Sequence, residues 1–253
     1  MTMTMTTVTD TIIEKPAVND TNTDTHNLST YSMQGIRHLA KLIIWDINKN
    51  DHDNIVPLKN FLKSGNTKIP SSTAIFNMSS AHNCPSKRLG LCKAAKAGVK
   101  CYAIKSEVGC RPSVQPYRER QTKFWLSVSA EEFASQFLMI NALKPIPFNA
   151  LRMNEAGDFH SQECVNKAEK IARILKLYGI IAYCYTSRDD LDYTHVEALR
   201  ISGSGFKKQG IVNVFQIIEK KEDKPKGYGI CPMNCRICNR CQKAGLRTAV
   251  LKH

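Results

Sequence analysis

Four cysteines fall within eleven residues near the C-terminus, in the run Cys231-Pro-Met-Asn-Cys235-Arg-Ile-Cys238-Asn-Arg-Cys241. No other feature restricts the chain as much, because four soft ligands this close together suit a shared metal centre. Structural zinc commonly takes two Cys-x2-Cys knuckles with a long spacer, so that the chain approaches the ion from two directions. A four-iron four-sulfur core spreads its corners apart and can be wrapped by one tight run. The intervals of three, two and two residues therefore point to an iron–sulfur cluster, with zinc as the alternative and an inert thiol cluster as the non-metal reading. The chain has ten cysteines, but its first 33 residues are polar and carry no leader-like apolar run. Reduced thiols and a cytoplasmic location are expected, rather than a disulfide framework.

A length of 253 residues allows one large domain with a sizeable core. The longest apolar runs, such as Leu42 to Trp45 and Gly179 to Tyr185, are far short of the roughly 18 to 20 residues of a membrane span, so no membrane partner is expected. The net charge of +14 is uneven: residues 1–33 carry four acids against Lys15, while residues 87–124 hold ten Lys/Arg against two Glu. Residues 219–253 hold nine Lys/Arg against three acids, so both basic stretches are also the cysteine-rich ones. Such a field attracts nucleic acid or a nucleotide, or else balances anionic thiolates.

Residues 1–33, with ten Thr and few large apolar side chains, read as a disordered tail. Residues 34–56 read as a short helix, over 34–45, and a linker. Residues 57–218 form the α/β core, and 219–253 the cysteine-rich segment. Within the core, strands are predicted at Thr73–Met78, Ala150–Asn154, Ile180–Tyr185, Leu199–Ser202 and Val212–Ile218. Two helices are predicted over Val114–Leu143, broken near Ser127–Ala130. A further helix runs from Ser161, its N-cap, to Tyr178 with Gly179 as its stop, and another covers Thr194–Ala198. Alternating strands and helices imply parallel pairing, and a partial or distorted β/α barrel is favoured over an open sheet.

Ligands of such folds sit at the carboxyl ends of the strands. There the sequence places Cys84, Cys92 and Cys101, at intervals of seven and eight residues, with Cys110 a further eight on. Three of these suffice for a cluster with one open iron, four for a closed one, and two can join the C-terminal run on zinc; core packing is the rival. Cys164 and Cys184 have apolar flanks and read as packing residues. Glu155, Asp158 and His160 follow the second strand as candidates for acid/base work, for holding a ligand amine or for metal, against Asp158 as a helix cap and His160 as a surface residue, with Asn154 beside them as a cofactor-binding candidate. Thr186 follows the third strand. Ser204, in Gly203-Ser204-Gly205, can let a phosphate or ribose approach the backbone, or mark a simple turn. Tyr183 and Tyr185 share one face of their strand and Cys184 takes the other. Tyr117, Arg118, Arg120, Lys123 and Trp125 interleave charge and aromatics, as a stacking surface for nucleic acid does, or pack as core.

Several of these segments together resemble the phage "gene product 88" family of bacteriophage and prophage proteins. The likeness rests on Gly65-Asn66-Thr67-Lys68, Phe76 to Ala81, Cys84-Pro85-Ser86, Leu91-Cys92, Cys101-Tyr102-Ala103, Arg152 to Ser161, Tyr183 to Thr186, Gly203 to Phe206 and the final cysteine run, and it covers about residues 57–253. Cys110 is less typical of the family pattern and is left out of the ligand set. More distantly, the layout is similar to radical S-adenosylmethionine barrels, whose Cys-x3-Cys-x2-Cys spacing recurs at Cys231, Cys235 and Cys238. There the motif follows the first barrel strand, so the resemblance assigns an open-site cluster to Cys84, Cys92 and Cys101, an auxiliary one to the C-terminal four, and amine binding to Glu155. It implies an enzyme using an iron–sulfur cluster and S-adenosylmethionine on a nucleotide or nucleic-acid substrate. The alternatives are a zinc or iron–sulfur nucleic-acid-binding protein without catalysis, and a host-takeover protein that binds a bacterial partner in the host cytoplasm.

Overall fold

Strand pairing in a computed structural model of the chain joins the strands of the described residues into one eight-stranded sheet. The structure describes residues 57–252 except 97, 99, 100, 110 and 111. The expected N-terminal tail, the helix over 34–45 and Cys110 lie outside the described residues.

The strands are β1 (Lys63–Ser64), β2 (Thr73–Phe76), β3 (Ala150–Met153), β4 (Ile181–Thr186), β5 (Arg200–Ser204), β6 (Asn213–Ile218), β7 (Gly229–Ile230) and β8 (Arg247–Leu251). Their order is β1-β2-β3-β4-β5-β6-β8-β7, and every pairing is parallel except that of the β1–β2 hairpin. Parallel neighbours in chain order leave the strand ends, and the loops that follow them, on one rim.

The helices are α1 (Pro85–Arg88), α2 (Lys93–Lys96), α3 (Tyr102–Val108), α4 (Val114–Ser127), α5 (Ala130–Leu143) and α6 (Gln162–Leu177). The break between α4 and α5 falls where predicted, because Ser129 caps α5 by accepting from the Glu132 N–H at 3.0 Å. Ser161 stands at the N-cap position of α6, although its hydroxyl accepts no cap hydrogen bond. Gly179, with φ +71°, ends α6, and the Ile180 N–H closes back on the Leu175 carbonyl at 3.1 Å.

One face of the sheet packs on α4 to α6. Phe76, Leu151, Met153, Cys184 and Ile201 point into this core with Trp125, Phe133, Phe137 and Ile171 from the helices. Cys164 and Cys184 are buried packing residues, as their flanks suggested, and Trp125 donates its indole N–H to Cys164 Sγ at 3.3 Å. Trp125 is fully buried and Arg118 is buried in an ion pair with Glu107, so neither belongs to an exposed stacking surface.

The predicted helix over Thr194–Ala198 is instead a series of turns. Its amides are drawn elsewhere: the N–H groups of Glu197, Ala198 and Leu199 all donate to the buried Glu169 carboxylate of α6. The cysteine run, which in sequence follows the last predicted strand at Val212–Ile218, lies between β7 and β8, and β8 inserts beside β6. Among the described residues no helix is long and apolar enough to cross a membrane.

Candidate functional site

Alternation along each strand turns one residue in two away from the helical core. Arg152 of β3 is in register with Tyr183 of β4, and these with Tyr185 and Ser204 occupy the face opposite Leu151, Met153 and Cys184. At the rim of that face a cavity of about 210 Å³ opens. Its wall brings together Cys84, Cys92 and Cys101 from the segment after β2, Glu155 and Asp158 after β3, and Ser204 at the end of β5. Thr186 and Asn154 also line it, as does an apolar wall from β6 and β8 that includes Phe215 and Val250.

Each of the three cysteines opens a short helix. Cys84 and Cys101 hold the N-cap positions of α1 and α3, with ψ near 121° and 122°, and the Cys92 carbonyl accepts from the Lys96 N–H at the start of α2. Their loop is anchored from beneath. The Glu107 carboxylate accepts from the N–H groups of Ala81 and His82 at 2.7 and 2.9 Å, and Arg118 neutralises it at 2.7 Å while also reaching the Ala103 carbonyl. Burial pushes the Cys84 thiol up to about 12, and the Asp158 carboxylate adds to this. A cationic centre at these sulfurs would offset both effects.

The β3 loop is shaped by backbone that only certain residues adopt. Asn154 has φ +59°, and its Oδ1 accepts from the Met78 N–H at 3.1 Å. Gly157 has φ +77°, and a Cβ there would lie 1.9 Å from Ser79 Oγ. Glu155 accepts from Asn66 Nδ2 at 2.5 Å and faces the cavity. Asp158 is buried, and its two oxygens accept from Ser86 Oγ at 2.5 Å, Thr186 Oγ1 at 2.7 Å, and the N–H groups of Phe159 and Ser187 at 2.8 Å each. Asp158 and Thr186 thus tie the β2, β3 and β4 loops together and are committed to that work. Burial nonetheless pushes the Asp158 carboxyl above the usual range, against the hydrogen bonds from Ser86, Ser187 and Thr186. His160 is not brought to the cavity; its Nε2 pairs with the Met78 carbonyl at 2.9 Å.

Beside this cavity the C-terminal run crosses the inner face of the sheet. Cys231, Cys235, Cys238 and Cys241 line one small cavity of about 20 Å³ with Arg240 and Thr248. The Cys231 N–H pairs with the Ala249 carbonyl at 2.8 Å, and the turn Arg240–Gln242 lies against β4 and β5. Burial pushes the Cys235 and Cys241 thiols up; Arg152 opposes the rise at both, and the Tyr185 hydroxyl, which donates to Cys241 Sγ, opposes it at Cys241. Arg152 Nε and Arg240 Nε are buried with no hydrogen-bond partner. Four thiols beside two guanidinium groups, each with one buried N–H that lacks an acceptor, fit an anionic thiolate-bound centre. As placed, no three His, Cys, Asp or Glu side chains among the described residues close on a single metal ion.

Sequence reasoning found the cavity cysteines, Asn154, Glu155, Asp158, Thr186 and Ser204. It overlooked Arg152, although an arginine inside the apolar strand Ala-Leu-Arg-Met was a signal. It also overlooked Asn66, Ser86 and Arg240 as contacts, and for these no local signal existed.

The gene product 88 family model matches residues 45–201, more than half of the chain. The chain belongs to the gene product 88 family. The match takes in Cys84, Cys92, Cys101 and the Asn154 to His160 loop, and it ends within β5. The resemblance expected to reach residue 253 is therefore shown only to 201, and the four C-terminal cysteines and Ser204 lie beyond it. No curated protein and no solved structure matches the chain, and none of these comparisons supports the expected likeness to radical S-adenosylmethionine barrels.

Proposed function

We propose that this phage-family protein is an iron–sulfur enzyme of radical S-adenosylmethionine-like type acting on a nucleotide or nucleic-acid substrate. The observation that carries the reading is the placement of Cys84, Cys92 and Cys101 with Glu155 on the wall of one cavity, at the carboxyl rim of parallel strands. The parallel strands β2 to β6 lie in chain order, which supports the partial-barrel reading. Three thiolates would hold a four-iron cluster with one iron open, and such a cluster supplies an electron for reductive cleavage of S-adenosylmethionine.

The chain's own residues then divide the remaining work. Glu155, steadied by Asn66, offers carboxylate oxygen to the ligand amine. Asp158 holds Ser86, and with it α1 and Cys84, against the β4 loop. Ser204, followed by Gly205 at φ +74°, leaves room for a ribose or phosphate at the end of β5. The apolar wall from β6 and β8 limits water. Residues 82–106 carry six Lys/Arg and no Asp or Glu. Lys87, Arg88, Lys96 and Lys105 of this segment are exposed near the cavity, which suits a polyanionic substrate.

The same basic segment favours one rival, a non-catalytic zinc or iron–sulfur protein that binds nucleic acid. Anaerobic purification with iron, sulfide and zinc analysis, followed by an S-adenosylmethionine cleavage assay under reductant, separates the two. Iron and sulfide with cleavage that Cys92→Ala abolishes is the expected result. Stoichiometric zinc without iron, or iron without any cleavage, would sink the enzyme reading.

A further inference from the structure

Arg152 and Arg240 each keep a buried guanidinium Nε without a hydrogen-bond partner. A buried N–H without an acceptor is rare, because its lost hydration goes uncompensated. Here two such groups, Arg152 Nε and Arg240 Nε, belong to permanently charged guanidinium groups close to one four-cysteine pocket. Arg240 lines the pocket itself. Arg152 projects from β3 on the inner face, stacked on Tyr185 with its guanidinium 5.4 Å from the ring centre, and its charge acts on Cys235 and Cys241. Tyr185 in turn donates to Cys241 Sγ.

Four thiolates around a zinc ion, or around a four-iron four-sulfur core in its usual oxidised state, carry about two negative charges. Two guanidinium groups match that charge. We propose that Arg152 and Arg240 are positioning residues for an anionic tetrathiolate metal centre at Cys231, Cys235, Cys238 and Cys241, supplying its counter-charge and N–H donors. Tyr185 adds a third donor at Cys241. Because Tyr185 also lines the larger cavity, the two cysteine sites share a wall. The inference rests on the metal-binding part of the reading above and not on catalysis.

The experiment uses the full chain carrying Cys92→Ala, so that metal at the C-terminal four is read by itself. Arg152→Met, Arg152→Lys and Arg240→Met are made in this background and purified anaerobically. Metal per chain is followed under a chelator challenge, and the midpoint potential is measured if the metal is iron. Arg152→Met is expected to release metal at least tenfold faster. With iron it should also lower the potential by about 59 mV for each tenfold change in the one-electron equilibrium, since removing a positive charge disfavours the more negative reduced state. Arg152→Lys, which keeps the charge, should recover most of that potential. Arg240→Met, at the pocket wall, gives the same readout should Arg152→Met fail to fold. Metal release and potential unchanged in both Met variants would overturn the proposal. So would a Lys variant as impaired in potential as the Met variant. Absence of metal from the Cys92→Ala parent would overturn both this inference and the auxiliary-centre reading, whereas metal-loaded but catalytically inactive wild-type protein would overturn only the enzyme reading.

Discussion

The backbone N–H of Cys235 donates to the carbonyl of Lys68 at 2.8 Å. Lys68 belongs to the β1–β2 hairpin at one end of the sheet order, whereas the cysteine run starts from β7 at the other end. A single segment therefore ties the first edge of the sheet to the last, with Arg236 reaching the Asn66 carbonyl at 3.4 Å beside it. Asn66 also holds Glu155, so the strap bears on the larger cavity.

If metal holds this strap in shape, its removal should loosen both ends together. Amide exchange at residues 231–241 and 65–69 is expected to quicken by at least tenfold in metal-free protein, while β3 and β4 in the middle of the sheet keep their protection. Hydrogen exchange read by mass spectrometry on the loaded and stripped chain checks this. Uniform change across the sheet, or none at the hairpin, would contradict it.

Glu107 gathers the Ala81 and His82 amides and pairs with Arg118 in a site sealed from solvent. Glu107→Ala leaves a buried guanidinium without its counter-charge and two amides without their acceptor, so it should cost about 3–5 kcal/mol. Urea unfolding measures the loss. Metal bound through Cys84 should weaken in parallel, because the amides that Glu107 gathers lie immediately before that cysteine.

Gly157 and Gly90 both have positive φ, +77° and +66°, but differ in their surroundings. A Cβ at Gly90 meets nothing within 4 Å, whereas at Gly157 it meets Ser79 Oγ at 1.9 Å and the Ser79 carbonyl oxygen at 2.4 Å. Gly90→Ala should cost only the left-handed backbone penalty of about 1–2 kcal/mol. Gly157→Ala should cost at least about 2 kcal/mol more, since overpacking against backbone is added. Equal midpoints for the two variants in denaturant would refute the close approach.

Burial raises the Asp158 pKa above its ordinary 3.8, so the folded chain keeps a proton there that the unfolded chain has released. The stability linked to this group is fully present below pH 3.8 and is lost as pH rises through the folded-state value. Asn cannot ionise. The advantage of wild type over Asp158→Asn should therefore be larger near pH 4 than near pH 7 in metal-free protein. Denaturant midpoints at the two pH values test this, and an advantage that grows with pH would show that the four donors outweigh burial.

Much of the scaffold was legible because it is local. The Ser129 cap between α4 and α5, the apolar stripe of α6 and its Gly179 stop depend on residues within a few positions of one another. The strands at 73–76, 150–153, 181–186 and 213–218 were likewise marked by short apolar runs, and the cavity residues by their place just after them. Where a distant side chain intervenes, local reading failed. Glu169, from α6, takes the amides of residues 197–199 and leaves turns where the pattern of 194–198 suggested a helix. β8 was hidden because its partner is β6, across the whole cysteine run.

The sequence by itself determined that this chain carries two groups of clustered thiols on a parallel α/β framework, since residue type and period are properties of the strand or loop that bears them. Only the tertiary structure decided that Cys84, Cys92 and Cys101 share a wall with Glu155, that Asp158 is spent on holding three loops, and that Arg152 faces the C-terminal cysteines. Those relationships join segments tens of residues apart. The physical reason is that a buried charge or donor takes its partner from whatever the packing brings near it, and the packing is settled by the whole sheet rather than by any one segment.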